Sequence, residues 1–423
     1  MNNKIYLFLL VVSFLPLHSI SAQVLEKGVP EQVGMDSGRL QNLTRVLQQY
    51  VDQKQLSGAV ALVARKNKIV YFEAIGAGDL EDNRPMEKDA VFRIASQTKA
   101  IVSVGIMILQ EEGKLLISDP VGKYIPAFGE TQVAVAQENG GYRIEASKRP
   151  ITIRDLLTHT AGIGYGGGVA ADQWKKADIQ GWYFAHREEP ILATVERMAA
   201  LPFDAQPGEK FVYGYNTDIL GALIEVVSGI TLADFLKSKI LDPLGMTDTH
   251  FYLPQGKKLR LATVYSSADG GIERAPVSGT MVSQGAYVAG PRKSFSGGAG
   301  LLSTAMDYAR FLQMMLNGGV YNGHRILSRK SVEAMTVNHL DKARFEWSNG
   351  TGFGLGFSVL ENLGLRGDLG TVGEFGWGGA YHSTYWVDPK EELVVVYFTQ
   401  LIPAKDIDDH AKLRTQVYHA IAD

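Results

Sequence analysis

Ser96 and Lys99 stand three positions apart in Ser96-Gln97-Thr98-Lys99, directly after the strand-like stretch 91–94 and directly before the apolar run 100–109. Residues i and i+3 share one face of a helix, so the Lys99 amine can reach the Ser96 hydroxyl. A serine is a poor nucleophile until a base takes its proton. A lysine serves as that base only where burial or a neighbouring cation makes the neutral amine accessible. The start of a helix adds free backbone N–H groups, which favour the negative charge that develops on an acyl oxygen. Ser-x-x-Lys is a common combination of letters, and a capping serine beside a solvated lysine would read the same. Two features favour chemistry: Ser96 is the only serine with lysine at the third following position, and it opens the most apolar run of the chain beyond its first residues.

Two further segments carry reactive or permissive residue types. Pro207-Gly-Glu-Lys-Phe-Val-Tyr213-Gly-Tyr215-Asn216 precedes a helical stretch, 217–227. A phenol can relay a proton between a serine and a leaving group when a nearby cation such as Lys99 favours the phenolate. Tyr213 and Tyr215 both satisfy that description, and spacing alone leaves the choice open. In Gly376-Trp377-Gly378-Gly379-Ala380 the glycines permit close backbone approach to a ligand, and the residues beyond look like a strand. An oxyanion hole needs two N–H donors aimed at one point, and the Ser96 and Ala380 amides are the candidates. A glycine-rich strand entry with a buried tryptophan fits the same letters.

These side chains need elements to hold them. Leu40, Leu43, Leu47, Tyr50 and Val51 recur at helical spacing, with Asp36 or Ser37 as cap. Runs 59–64 and 69–75 are β-rich and separated by Lys66-Asn67-Lys68, which predicts a hairpin. The C-terminal part repeats the pattern at 384–387 and 393–399 around the turn Asp388-Pro-Lys-Glu391, and a last helix is expected over 404–422. The middle shows helical patches at 219–227 and 232–241, the latter ended by Pro243 and Gly245. The expected architecture is α/β (α+β): one unit built from 23–115 and 284–423, with a mostly helical insertion at 116–283.

Composition narrows the function. The chain has 423 residues, 45% hydrophobic and 21% charged, with a formal net charge of −3 at pH 7. That is an ordinary globular balance, and without a basic cluster it gives a nucleic-acid partner no support. There is no cysteine, which excludes disulfides, thiolate metal sites and cysteine catalysis. Residues 1–22 hold Lys4, an apolar run over 5–17 and Ser19-Ile-Ser-Ala22, the layout of a cleaved export signal. The run is short for a bilayer span, so export, with the periplasm as destination, and no stable membrane anchor are expected. No His-Glu-x-x-His, phosphate loop or Gly-x-Ser-x-Gly occurs, so neither a metal nor another cofactor is expected. His159 reads as ordering a loop, His382 as following its strand outward, and Tyr165 with Gly166-Gly-Gly168 as a glycine-rich surface loop.

The three segments, in this order, resemble class C β-lactamases, family VIII carboxylesterases and related penicillin-binding proteins, a group in which Ser-x-x-Lys is a recognised marker. Arg154-Asp-Leu-Leu-Thr-His159-Thr-Ala-Gly162, Leu220-Gly-Ala-Leu-Ile-Glu225, Pro243-Leu-Gly-Met246 and Gly300-Leu-Leu-Ser-Thr304 extend the resemblance over nearly the whole chain. It implies a β-lactamase-like antiparallel sheet flanked by helices. Ser96 becomes the acylated nucleophile, Lys99 its base and Tyr213 the acid–base partner, with Trp377, Gly378 and Gly379 lining the substrate. Two departures matter. The β-lactamase motif reads Tyr-x-Asn, whereas here Tyr215 takes the third position and Asn216 follows, which puts the asparagine's contact with a substrate amide in doubt. Where β-lactamases carry Lys-Thr-Gly this chain has Trp377-Gly-Gly, as the esterases do, and tryptophan cannot supply the lysine's charge. The resemblance therefore implies a small ester substrate. A β-lactamase, a D-amino-acid peptidase or amidase, and a non-catalytic ligand sensor are the alternatives. The sequence leaves acyl-chain preference and oligomeric state open.

Overall fold

The computed structural model describes residues 24–138, 140–279, 281–340 and 349–423. The leader reading of 1–22 lies outside them. Among the described residues no single helix is long and apolar enough to cross a membrane.

Asp36 caps the first helix, α1 (Ser37–Asp52), by accepting from the Arg39 N–H at 2.8 Å, and Leu40, Leu43, Leu47 and Tyr50 form its buried stripe. The next two strands, β2 (Gly58–Arg65) and β3 (Lys68–Asp79), close a hairpin in which Lys66 and Asn67 both take positive φ, the conformation a tight two-residue turn demands. These belong to one sheet with β1 (Glu26–Lys27), β4 (Arg84–Pro85), β5 (Thr351–Phe353), β6 (Ser358–Leu360), β7 (Phe375–Gly379), β8 (Ser383–Asp388) and β9 (Leu393–Phe398). The order is β1-β3-β2-β9-β8-β7-β6-β5, with β4 paired to β3, and every pairing is antiparallel except β1 with β3. The first strands of the chain thus lie directly beside the last, through β2 and β9.

Both faces of the central strands are covered, which is why Gly58–Arg65 and Leu393–Phe398 read as continuous apolar runs. On one face Val60, Leu62, Val394, Val396 and Phe398 pack in the main core, to which α2 (Thr98–Glu111) contributes Ile101 and Val104 and the helix Ala305–Leu316 contributes Phe311 and Leu312. On the other, Ala61, Val63, Val395 and Tyr397 meet Leu43 and Leu47 of α1 and Leu413 and Val417 of the last helix, Asp409–His419. Fully burying one such Leu or Val contributes about 1.5–3 kcal/mol.

The structure departs from the sequence expectations in three places. The last helix starts at Asp409 rather than near 404, because Ile402 and Lys405 donate to the Tyr265 carbonyl and the Ser267 hydroxyl and so hold that segment out of the helix. The middle of the chain carries two hairpins besides its helices, Gln132–Ala136 with Tyr142–Ala146 and Tyr265–Ala268 with Gly271–Arg274. Ser96 sits in a tight turn, Ala95–Gln97, just ahead of α2 instead of inside it.

Candidate active site

The strand-to-helix junction that presents Ser96 is tightly fixed. Ala95 takes φ 42°, Tyr308 donates its hydroxyl to the Gln97 carbonyl at 2.9 Å, and the Thr98 hydroxyl accepts from the Leu301 N–H at 3.0 Å. Ser96 stays half-buried while Lys99 is only 2% exposed. The ammonium has three donors and three acceptors: Ser96 Oγ at 3.3 Å, Tyr165 Oη at 3.1 Å and the Gly298 carbonyl at 2.8 Å. The first of these is the nucleophile–base contact that the spacing predicts.

Tyr165, expected in a glycine-rich surface loop, is therefore a half-buried wall of the Ser96 cavity. Burial pushes its phenol well above the ordinary value of 10, so it stays neutral and serves as an acceptor for Lys99. Asp218 is a second group that sequence reasoning passed over. Fully buried two residues after Asn216, it accepts from the Ser296 hydroxyl at 2.6 Å and from the Gly298 N–H at 3.0 Å. Burial raises its proton affinity and the Lys99 charge opposes that rise, so Lys99 sits between a serine and a buried carboxyl. An acidic residue inside the apolar stretch 216–224 was the available signal.

The two candidate tyrosines part company. Tyr215 is 0% exposed, donates to the Gly181 carbonyl at 2.8 Å and stacks on Trp174. Tyr213 lines the cavity that also holds Ser96, lies with its ring centroid 4.6 Å from Lys99 Nζ, and accepts from Trp377 Nε1 at 3.0 Å. Asn216 is fully buried. Its amide donates to the Ile163 and Val212 carbonyls, both at 3.1 Å, and contacts His159 Nδ1 at 2.9 Å. It faces the loop and not the cavity. His159 thus does order its loop, and burial together with the Lys99 charge keeps it neutral.

Strand β7 forms the opposite wall. Trp377, Gly378, Gly379 and Ala380 all line the cavity, which has a volume of about 640 Å³. A Cβ on Gly379 would lie 2.5 Å from the Ile94 carbonyl oxygen, so only glycine lets the strand pass this close to the Ser96 turn. The β7–β8 ladder ends at the pair Gly379–Ser383, which leaves the Ala380 N–H outside it. Ser96 lies in the helical turn Ala95–Gln97, where N–H groups lack intrahelical acceptors. Ser96 and Ala380 both line this cavity.

His382 differs from its expected outward path. At φ 58° the chain turns back, and both His382 and His410 line the same cavity as Ser96. His382, Asp409 and His410 bring three possible metal donors within 4.8 Å, a cluster that no sequence spacing shows. The two imidazoles are stacked at 4.0 Å and 13°, so their in-plane lone pairs run side by side instead of converging on one ion.

Comparison with known proteins agrees with this arrangement. The profile of the family described as Beta-lactamase matches residues 43–418. Protein Rv1367c of Mycobacterium tuberculosis is 34% identical over 374 residues, covering 86% of this chain and 90% of its own. Esterase EstB of Burkholderia gladioli is 30% identical over 390 residues, covering 88% and 93% respectively. Among solved structures, EstCE1, described as a hydrolase with promiscuous acyltransferase activity, superposes with a TM-score of 0.77 at 26% identity, over 90% of this chain and 99% of that one. With its nucleophile turn, its antiparallel sheet flanked by helices and its full-length relatives in accord, the chain belongs to the beta-lactamase family, as one of its serine hydrolases.

Proposed function

We propose that this protein hydrolyses carboxylic esters through an acyl-enzyme on Ser96. The observation that carries the reading is the 3.3 Å contact between Lys99 Nζ and Ser96 Oγ at a cavity walled by Tyr213 and Ala380. Ser96 Oγ attacks the ester carbonyl as its proton passes to the Lys99–Tyr213 pair in its singly deprotonated form, Lys99 amine with Tyr213 phenol or Lys99 ammonium with Tyr213 phenolate, and the Ser96 and Ala380 amides hold the oxyanion. The tetrahedral intermediate collapses, the carbonyl–alkoxy bond breaks, and the alkoxide leaves with that proton. Water then adds to the acyl-enzyme by the same route in reverse and releases the acid.

An ester is preferred over a β-lactam because Trp377 brings no charge to the place where β-lactamases of this group keep a lysine, and Asn216 is spent on its own loop. The named esterase relative supports the same choice. Export to the periplasm is part of the proposal and rests on the leader-like residues 1–22.

The test compares rates on a short-chain p-nitrophenyl ester and on a chromogenic cephalosporin, with Ser96→Ala as control. Fast ester cleavage that vanishes in Ser96→Ala, with little cephalosporin turnover, is expected. Dominant cephalosporin turnover would overturn the substrate, and activity surviving in Ser96→Ala would overturn the nucleophile.

A further inference from the structure

His382 is held with more care than a residue leaving a strand needs. Its φ of 58° is a left-handed conformation, which a non-glycine residue adopts only at a cost. The ring is locked by Nε2, which donates to Asp409 Oδ1 at 2.6 Å, while Asp409 Oδ2 accepts from the Tyr397 hydroxyl at 2.8 Å. Asp409 is 0% exposed, and His382 is its only ion-pair partner among the described residues. Burial works against the Asp409 charge, yet the hydrogen bond from His382 and the nearby His382 and His410 rings bring its proton affinity below the ordinary value. The other titratable groups here are His410, stacked on the His382 ring, and Tyr397, edge-on to His410. His410 is pushed down to about 4 by burial and stays neutral.

With Nε2 committed to Asp409, His382 Nδ1 has no hydrogen-bond partner among the described residues, and the side chain borders the catalytic cavity. That cavity is lined by no acidic side chain, and Lys99 has already spent its three donors. An imidazole backed by a buried carboxylate donates through Nδ1 when protonated, and a charge-assisted bond of that kind suits an anion. We propose that His382, held by Asp409, is a substrate-contacting residue of this cavity and that it receives a carboxylate carried by the ester. This rests on Ser96 being the nucleophile; it adds the class of ester and a residue that selects it. Asp409 is the positioning residue.

Three probes test it: p-nitrophenyl hexanoate, which is neutral; mono-p-nitrophenyl adipate, with a carboxylate on the acyl chain; and 4-hexanoyloxybenzoate, with one on the leaving group. In the unmodified protein at least one carboxylate ester has a KM below that of the neutral ester. His382→Asn, whose side chain tolerates left-handed backbone, raises the KM of that carboxylate ester about tenfold relative to the KM of the neutral ester. Asp409→Asn moves KM in the same direction. His382→Gly, free of backbone strain, replaces His382→Asn if the latter melts early. Equal KM for charged and neutral esters, or a KM rise shared by all three, would overturn the role of His382. Labelling with a fluorophosphonate separates the two levels: an unlabelled unmodified protein sinks the Ser96 reading, whereas normal labelling with no carboxylate preference sinks only this one.

Discussion

Trp377 donates its indole N–H to the Tyr213 hydroxyl at 3.0 Å, so the strand that lines the Ser96 cavity also holds Tyr213 in place. The ring centroids are 5.5 Å apart, and Phe353 packs edge-on to the indole. In the proposed mechanism the tryptophan therefore orients the proton-relaying tyrosine instead of holding a substrate charge.

Removing that bond while keeping an aromatic wall tests the link. Trp377→Phe is expected to lower kcat on a p-nitrophenyl ester about five- to tenfold, the worth of one hydrogen bond of about 1 kcal/mol. An unchanged kcat would show that Tyr213 is aimed by its ring contacts alone.

The two tyrosines give opposite signatures. Tyr213→Phe should cost about 10²–10⁴ in kcat with little change in stability. Tyr215→Phe should keep kcat and lose about 1 kcal/mol of stability to urea, since its hydroxyl serves only the backbone carbonyls of Gly181 and Tyr165. Reversed effects would exchange their roles.

Beside the site strand, Arg414 and Glu374 form a buried ion pair at 2.7 Å with side chains 9% and 3% exposed, and Tyr418 donates to the same carboxylate. Glu374→Ala leaves Arg414 buried without its partner and should cost about 3–5 kcal/mol, read from the urea midpoint. A cost under about 1 kcal/mol would mean that water reaches the guanidinium.

Stability should fall as pH drops from about 6.5 to 4. His250 and His410 are held down to about 4 by burial, and His159 well below its ordinary value, so all three stay neutral in the folded chain. The unfolded chain protonates them below about 6.5, binds more protons and is favoured by acid. Urea midpoints across that window should decline, and His250→Gln should flatten the slope by up to about 1.4 kcal/mol per pH unit. Midpoints that hold steady to pH 4 would place those rings in contact with solvent.

Local signals made much of this legible. The periodicity of Leu40, Leu43 and Leu47, the Lys66-Asn67 turn and the apolar run after Ser96 each depend on neighbours in sequence, and each element forms. The Ser96–Lys99 contact follows for the same reason, because three residues fix the reach of both side chains. What stayed hidden depends on distant partners. Tyr165 meets Lys99 across 66 positions, and Asp218 meets Gly298 across 80. His382 turns inward only because Asp409, on another element, holds its ring. The last helix was overextended because Tyr265 and Ser267, far upstream, claim the residues ahead of it.

The sheet order has a consequence for how this protein is made. β2 and β9 pair at the centre, and Ser96 and Ala380, the proposed oxyanion donors, come from opposite parts of the chain. A polypeptide clipped or stalled before Ala380 carries Ser96 without its proposed counterpart, and it leaves one edge of β2 bare, with apolar side chains on both faces. Such an edge invites aggregation. An unfinished chain therefore lacks one of the two proposed oxyanion donors and is at the same time prone to clump with its neighbours.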